Sequence, residues 1–377
     1  PQKDILAKAL ERFGIEVDGE RVTIVRLHWR GIVEARCYPF FTLMGQSIGS
    51  ALLSVEALVK LTPSVFIDTM GCAFTYPVAR YGFGCYVGCY VHYPTISTDM
   101  LGLVARREET YNNRGFISRS AVLTQCKLVY YRRFAWLYGF VGRCSHAIMC
   151  NSSWTKDHIK HIWQINPAVV YPPCNTDNLQ TIALAGREQL VISLGQFRPE
   201  KNHALQVDAM KQLKDKGFSS VKLAIIGSCR GAGDEARVQA VQDRVKQHGL
   251  ESTVSLHVNV PWGDLKGKWL KTARAGMHTM WNEHFGINVV EFMAAGVLPI
   301  AHNSAGPKED IVVDWEGKPT GFLATTAEEY AEQIVKVMKM SDAELEAVQR
   351  NSRSSVTRFS DLTFQDAFLS SVRNLIS

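Results

Sequence analysis

At 377 residues the chain is long enough for two domains of ordinary size. Apolar residues make up 46% and charged residues 21%, the balance of a soluble globular protein and not of a disordered one. The net charge of +6 favours acidic partners, but no basic helix or base-stacking module is present, so nucleic acid is not expected among them.

Along the first half, strand and helix patterns alternate. Ile5–Phe13 reads as a helix and Val22–His28 as a strand. Thr42–Lys60 reads as a helix and Val65–Met70 as a strand; Cys85–His92, another strand, follows. Arg119–Phe140 then reads as a helix, Ala147–Asn151 as a strand and Trp154–Ile162 as a helix. Tyr38 to Val55 is a stretch of eighteen uncharged residues, the lower length limit for a membrane span. Pro39, Gly45, Gln46, Ser47, Gly49 and Ser50 dilute it, so a buried or interfacial helix is expected there. Lys127–Arg143 interleaves Tyr130, Tyr131, Phe134, Trp136, Tyr138 and Phe140 with basic residues. That pattern fits a helix packed on its own sheet, or one resting on an anionic membrane surface.

The nine cysteines show no pairing rhythm and no zinc spacing. Cys85 and Cys89 read as small core residues of a strand, and the whole set as reduced thiols in a cytosolic milieu. Asn151-Ser152-Ser153 has the form of a glycosylation sequon, but a cytosolic segment would never meet the transferase that uses it. Tyr171-Pro172-Pro173-Cys174-Asn175 punctuates the chain, and the polar run to Arg187 reads as an interdomain linker.

Beyond it the rhythm repeats. Strands are expected at Val191–Gly195, Lys222–Gly227, Thr253–Val258, Gly276–Met280 and Val297–Ala301, with amphipathic helices at Glu328–Met340 and Asp361–Ile376. Such alternation in two blocks means two α/β domains with parallel sheets facing a cleft. The divisions are 1–174, 187–345 and a C-terminal segment 346–377.

The most informative stretch runs from Glu283 through His284, Phe285, Gly286, Ile287 and Asn288 to Glu291. A strand precedes it, and the apolar spacing from Val289 to Ala294 makes a helix closed by Gly296. Free N–H groups at such a helix mouth attract an anion, and Gly286 has no side chain to hold a phosphate away. Glu291, one turn in, can accept hydrogen bonds from sugar hydroxyls. Arg198 and Lys201 follow the strand Val191–Gly195, at the carboxyl edge where doubly wound sheets bind ligands. Two cations and a helix mouth match a diphosphate. No DxD-type acidic pair ends a strand, so neither metal nor other cofactor is expected. Segments Gly227–Arg230 and His257–Trp262 end strands on the same edge and could cover a base. The residues alone leave guanine and uracil both open.

Gly195-Gln196-Phe197-Arg198-Pro199-Glu200-Lys201-Asn202, Glu283-His284-Phe285-Gly286, Glu291 to Gly296 and Gly321-Phe322-Leu323 together resemble the donor domain of retaining family 4 glycosyltransferases, which have the two-domain GT-B fold. Tyr90 to Ser97, Asp68 to Pro77 and Val170 to Cys174 extend the likeness to members that pass mannose to a lipid-linked oligosaccharide. The resemblance implies GDP-mannose as donor and a dolichol-pyrophosphate oligosaccharide as acceptor, joined by α-1,2 linkage. It also implies work at the cytosolic face of the endoplasmic reticulum membrane, where the membrane surface and other glycosyltransferases of the pathway are partners.

Its residue roles carry over as follows. Arg198, Lys201 and the N–H groups at Gly286 and Ile287 stabilise the leaving diphosphate. Glu291 holds the ribose and Glu283 the donor sugar, while His92 contacts the donor sugar or orients the acceptor hydroxyl. Retention would come from front-face attack. Within the same class a UDP-sugar donor stays open. An acceptor domain of this kind opens with a strand and a glycine-rich loop, and neither precedes Ile5–Phe13. The first sheet is therefore expected to lack its opening strand, which would make an inactive binding or scaffold form the competing reading.

Overall fold

The computed structural model describes residues 2–13, 17–97, 100, 121–174 and 176–376. Helix α1 (Gln2–Phe13) comes first, and α2 (Thr42–Lys60) follows an irregular stretch with two short 3-10 turns. Strands β1 (Val65–Asp68) and β2 (Tyr86–Val91), helix α3 (Ala121–Gly142), strand β3 (Ala147–Cys150), helix α4 (Ser153–Trp163) and the short strand β4 (Ala168–Val169) complete the first domain. Among the described residues its strands pair in the order β1-β2-β3-β4, all parallel.

Among the described residues Val22–His28 joins no sheet, contrary to its β-branched sequence. Strand propensity is realised only against a paired neighbour. Here the backbone groups are taken by the end of α2 instead: Glu56 accepts the His28 and Trp29 N–H groups, and Lys60 donates to the Arg26 carbonyl. Helix α2 has two faces. Ser47, Ser50, Ser54 and Leu58 turn inward, while Ile48, Leu52, Val55 and Val59 are exposed. Among the described residues it is the one helix long and apolar enough to cross a membrane. The aromatic residues of α3 divide likewise: Tyr131, Phe134 and Tyr138 are buried, and Trp136 and Phe140 stack on each other outside. The Arg119–Phe140 expectation begins two residues outside the described region.

The expected linker is structured. Helix α5 (Thr176–Gln180) lies within it, and Leu179 and Ile182 enter the core beside Val290 and Phe292. Arg187 donates five hydrogen bonds, to the carbonyls of Ala183, Leu184, Leu270, Ala273 and Ala295. A polar composition there reflects an internal tie, not a flexible join.

The second domain comprises β5 (Glu188–Leu194), α6 (His203–Asp215), β6 (Lys222–Gly227), α7 (Ala232–Gln247), β7 (Val254–Val258), β8 (Ala273–His278), α8 (Ile287–Ala295), β9 (Leu298–His302) and β10 (Phe322–Ala324). Three helices follow: α9 (Ala327–Lys339), α10 (Asp342–Ser355) and α11 (Asp361–Ile376). The six strands are all parallel, in the order β10-β9-β8-β5-β6-β7. Both faces are covered, so the strands are almost continuously apolar. Val191 of β5 packs with α6 and α9 residues such as Met210 and Ile334, whereas Ile192 meets Phe292 of α8 on the other side. The last helix packs Val372 and Leu375 against Tyr90 and Met149 of the first sheet. Strand order reverses between β5 and β8, the kind of switch point beside which doubly wound sheets place a ligand crevice.

Candidate functional site

The loops after β5 and β8 meet at this switch point, on the wall of a cleft of about 850 Å³. Beyond β5, Pro199–Lys201 makes a 3-10 turn that aims Lys201 inward. Its Nζ donates to Glu283 Oε2 at 2.6 Å, and the Thr279 hydroxyl anchors the turn by donating to the Lys201 carbonyl at 2.8 Å. His278, the last residue of β8, stands with Nε2 3.2 Å from the same Glu283 oxygen. Burial alone would raise the Glu283 carboxyl, but the His278 hydrogen bond and charge and the Lys201 ammonium outweigh it and hold the group well below the usual carboxylate range. Glu283 is therefore ionised throughout the working range.

The backbone is shaped for close approach. Gly306 N–H donates to the Glu283 carbonyl at 3.0 Å, and a Cβ on Gly306 would lie 2.6 Å from Phe285 Cα. Gly286 caps α8 at φ +111°, a conformation that L side chains rarely adopt. Gly286→Ala should thus lower stability by about 1–3 kcal/mol in urea unfolding. A loss below about half a kcal/mol would show that the loop can relax around a side chain.

One turn into α8, Glu291 faces the cleft with no hydrogen-bond or ion-pair partner among the described residues, and burial pushes its carboxyl up to about 7. An acceptor left unpaired in a half-buried position is poised for a ligand's hydroxyls. Asn288, beside it, donates to the Leu194 carbonyl at 2.7 Å and fixes the helix mouth to the end of β5. Asn259 links the two outer loops, accepting from Cys229 N–H at 2.9 Å, and Trp262 lies half-exposed at the rim.

The first domain supplies the facing wall. His92 sits one residue past β2, its ring edge-on to Tyr90 at 4.8 Å, with burial lowering its basicity. His284 crosses from the second domain and stacks on Tyr93 at 3.9 Å, with Trp154 parallel at 5.6 Å. Burial brings the His284 imidazole down to about 4, so it enters this aromatic slot neutral. A second tie is Asp310, which accepts the Ser153 N–H at 2.9 Å and the Tyr171 hydroxyl at 2.8 Å. Asn151 and Ser152, the sequon residues, are buried, and Ser152 caps α4 by accepting the Thr155 N–H.

Six of the anticipated site residues thus meet in one cleft: His92, Lys201, Glu283, Gly286, Ile287 and Glu291. Arg198 does not join them. Its half-exposed guanidinium lines an adjacent hollow with Arg237 and Arg244, 3.9 Å from Glu200, because the turn starting at Pro199 sends residues 198 and 201 to opposite sides. Lys201 and Glu283, expected to serve phosphate and sugar separately, are paired with each other. His278, within the expected strand Gly276–Met280, and His284, in the loop before α8, are both parts of the site. The Glu283-His284 adjacency was a signal for the second; its aromatic partners lie too far away in sequence to be seen.

Two parallel-sheet domains facing one cleft are the arrangement of the GT-B fold. Sucrose-phosphate synthase from Thermosynechococcus elongatus superposes with a TM-score of 0.69 at 15% identity, covering 93% of this chain and 83% of that one. The alpha,alpha-trehalose 6-phosphate synthase of Burkholderia multivorans gives 0.68 at 12% identity, over 89% and 77%. These likenesses carry the fold alone. Residues 1–163 match the ALG11 mannosyltransferase N-terminus and residues 175–355 the glycosyl transferases group 1. Over 385 residues, all of this chain and 78% of the relative, it is 47% identical to the GDP-Man:Man(3)GlcNAc(2)-PP-Dol alpha-1,2-mannosyltransferase of Mus musculus. The Caenorhabditis elegans enzyme of that name is 40% identical over 375 residues, 97% of this chain and 79% of the relative. The chain belongs to the family of these alpha-1,2-mannosyltransferases.

Proposed function

We propose that the protein transfers mannose from GDP-mannose to a dolichol-pyrophosphate oligosaccharide, making α-1,2 linkages on its Man3GlcNAc2 and Man4GlcNAc2 forms. The choice of donor and acceptor rests on the relatives. The observation that carries the chemistry is the cluster at the switch point, where the Lys201–Glu283 pair, the mouth of α8 and the unpartnered Glu291 line one cleft.

In this reading the diphosphate lies against Lys201 and the N–H groups at Gly286 and Ile287. Arg198, whose guanidinium has one long contact, with Glu200, among the described residues, swings in from the rim to complete the charge. Glu291 accepts from the ribose hydroxyls, Glu283 from the mannose hydroxyls, and the base rests on Trp262 at the rim. The bond from the anomeric carbon to the β-phosphate oxygen breaks as the acceptor oxygen attacks from the same face. The departing phosphate takes the acceptor proton, and His92 orients the hydroxyl. Negative charge grows on the phosphate as the sugar leaves, so fixed cations and N–H groups stabilise the transition state more than the bound donor, without a metal.

The exposed apolar face of α2 and the pair Trp136 and Phe140 beside Arg132 and Arg133 on α3 support attachment to an anionic membrane surface. That surface is taken to be the cytosolic face of the endoplasmic reticulum.

Calorimetry with GDP against UDP, followed by transfer to a lipid-linked acceptor in detergent, tests the proposal. GDP should bind at least about tenfold tighter; equal affinity, or preference for UDP, would refute the donor. Arg198→Ala should slow turnover about hundredfold with a smaller change in GDP affinity. EDTA should leave both proteins' rates unaltered; inhibition rescued by manganese would overturn the metal-free scheme.

A further inference from the structure

Lys201 has two anions to serve: it pairs with Glu283, and it faces the donor's diphosphate. As that diphosphate gains charge, the ammonium is drawn toward it and away from Glu283. The buried carboxylate then loses part of its compensation, which is costly in a site shielded from water. A second group holds it from behind.

His278 ends β8 with Nε2 3.2 Å from Glu283 Oε2, the same oxygen that Lys201 reaches at 2.6 Å. That carboxylate is ionised, so Nε2 carries a proton and donates it. Nδ1 is buried and has no hydrogen-bond partner among the described residues. The two partners of Glu283 differ in access: the Lys201 side chain is 22% exposed and that of His278 only 2%. A ligand can therefore draw on the ammonium but cannot touch the imidazole. Glu283 Oε1 has no hydrogen-bond partner among the described residues, which leaves it for the sugar.

The strand end that carries His278 is fixed. Its carbonyl accepts the buried Tyr330 hydroxyl at 2.7 Å, and the next residue, Thr279, anchors the turn of Lys201. A leucine would fill the same buried space without orphaning a ring nitrogen, so packing alone gives no reason for an imidazole there.

We propose that His278 is a positioning residue: it holds Glu283 as an ionised acceptor toward the donor sugar while Lys201 is drawn to the leaving diphosphate. This rests on the donor placement above, and it adds the group that lets one lysine serve both anions.

Removing the imidazole should affect the donor complex more than the free enzyme. Around Glu283 stand Lys201 from the loop after β5, His278 from β8 and His284 from its own loop, while His302 of β9 faces His278. Burial lowers the basicity of His284 and His302, so neither supplies a replacement charge. In His278→Leu, kcat should fall about ten- to hundredfold at neutral pH. Its pH profile should gain an acid limb, as Glu283 takes up a proton in the donor complex. The profile of kcat/KM for the donor reports the free enzyme, where Lys201 still pairs with Glu283, and should gain no limb that the wild type lacks. His278→Gln keeps an N–H of similar reach but carries no charge; it should retain most of the rate and show no new limb. A wild-type rate in the Leu variant, a loss without pH dependence, or a new limb in kcat/KM would each overturn the proposal. So would a Gln variant at about a tenth of the wild-type rate or less, whether or not the Leu variant folds. Failure of the wild-type protein to bind GDP would instead overturn the donor placement, and this inference with it.

Discussion

Glu291→Gln should weaken GDP binding while making the protein more stable. Two ribose hydroxyls lose a charged acceptor, which at ~1.5–3 kcal/mol is roughly a ten- to hundredfold loss of affinity. The gain in stability follows from linkage. Burial pushes the folded-state carboxyl up to about 7 from an ordinary value of 4.5, so the folded protein keeps its proton where the unfolded chain has lost it. Stability therefore falls as pH rises from 4.5 through 7 and stays lower above. Removing the ionisation should restore on the order of 1–3 kcal/mol at pH 8, since each tenfold change in proton affinity is worth about 1.4 kcal/mol and the cleft leaves the group partly exposed. In the wild type, GDP affinity should rise with pH through about 7, and the Gln variant should lose that component. Calorimetric titrations across neutral pH, with unfolding on the alkaline side, measure both. A folded variant that binds GDP as tightly as the wild type would remove Glu291 from the ribose.

Lys201→Ala should have the larger effect on rate. It takes a point charge from the leaving diphosphate and a partner from Glu283, and loss of one such electrostatic group typically lowers kcat about 10²–10³-fold. With the ammonium gone, burial of Glu283 is opposed by His278 alone, so its carboxyl should titrate higher and the pH–rate profile should gain an acid limb. Lys201→Arg should recover only part of the rate, because a planar fork cannot occupy the space of a compact ammonium between Glu283 and the Met280 sulfur, 3.3 Å from Nζ. Single-turnover assays at saturating donor separate binding from chemistry. An effect confined to KM would mean that Lys201 holds the donor without assisting its departure.

Much of this arrangement was legible because it is local. The helix at Thr42–Lys60, the strand at Lys222–Gly227 and the helix at Asp361–Ile376 have the bounds their periodicity suggests. The Glu283–Glu291 stretch declares its helix mouth through Gly286 and its closure through Gly296. What escaped depends on partners distant in the chain. Val22–His28 has the residues of a strand and, among the described residues, pairs with no strand. Arg187 looks like linker polarity until five carbonyls converge on it from separate segments. The side to which Arg198 points depends on how a single 3-10 turn rotates, and composition carries no trace of that rotation.

The stack of Tyr93, Trp154 and His284 has an optical consequence. Trp154 and Tyr93 belong to one domain and His284 to the other, with all three rings nearly parallel. Indole emission is sensitive to the rings packed around it, so withdrawal of His284 from its parallel position 5.6 Å from Trp154 alters the Trp154 signal without any attached dye. The difference in fluorescence between the wild type and Trp154→Phe is then a built-in gauge of how far the two halves stand apart, readable in real time as donor is mixed in.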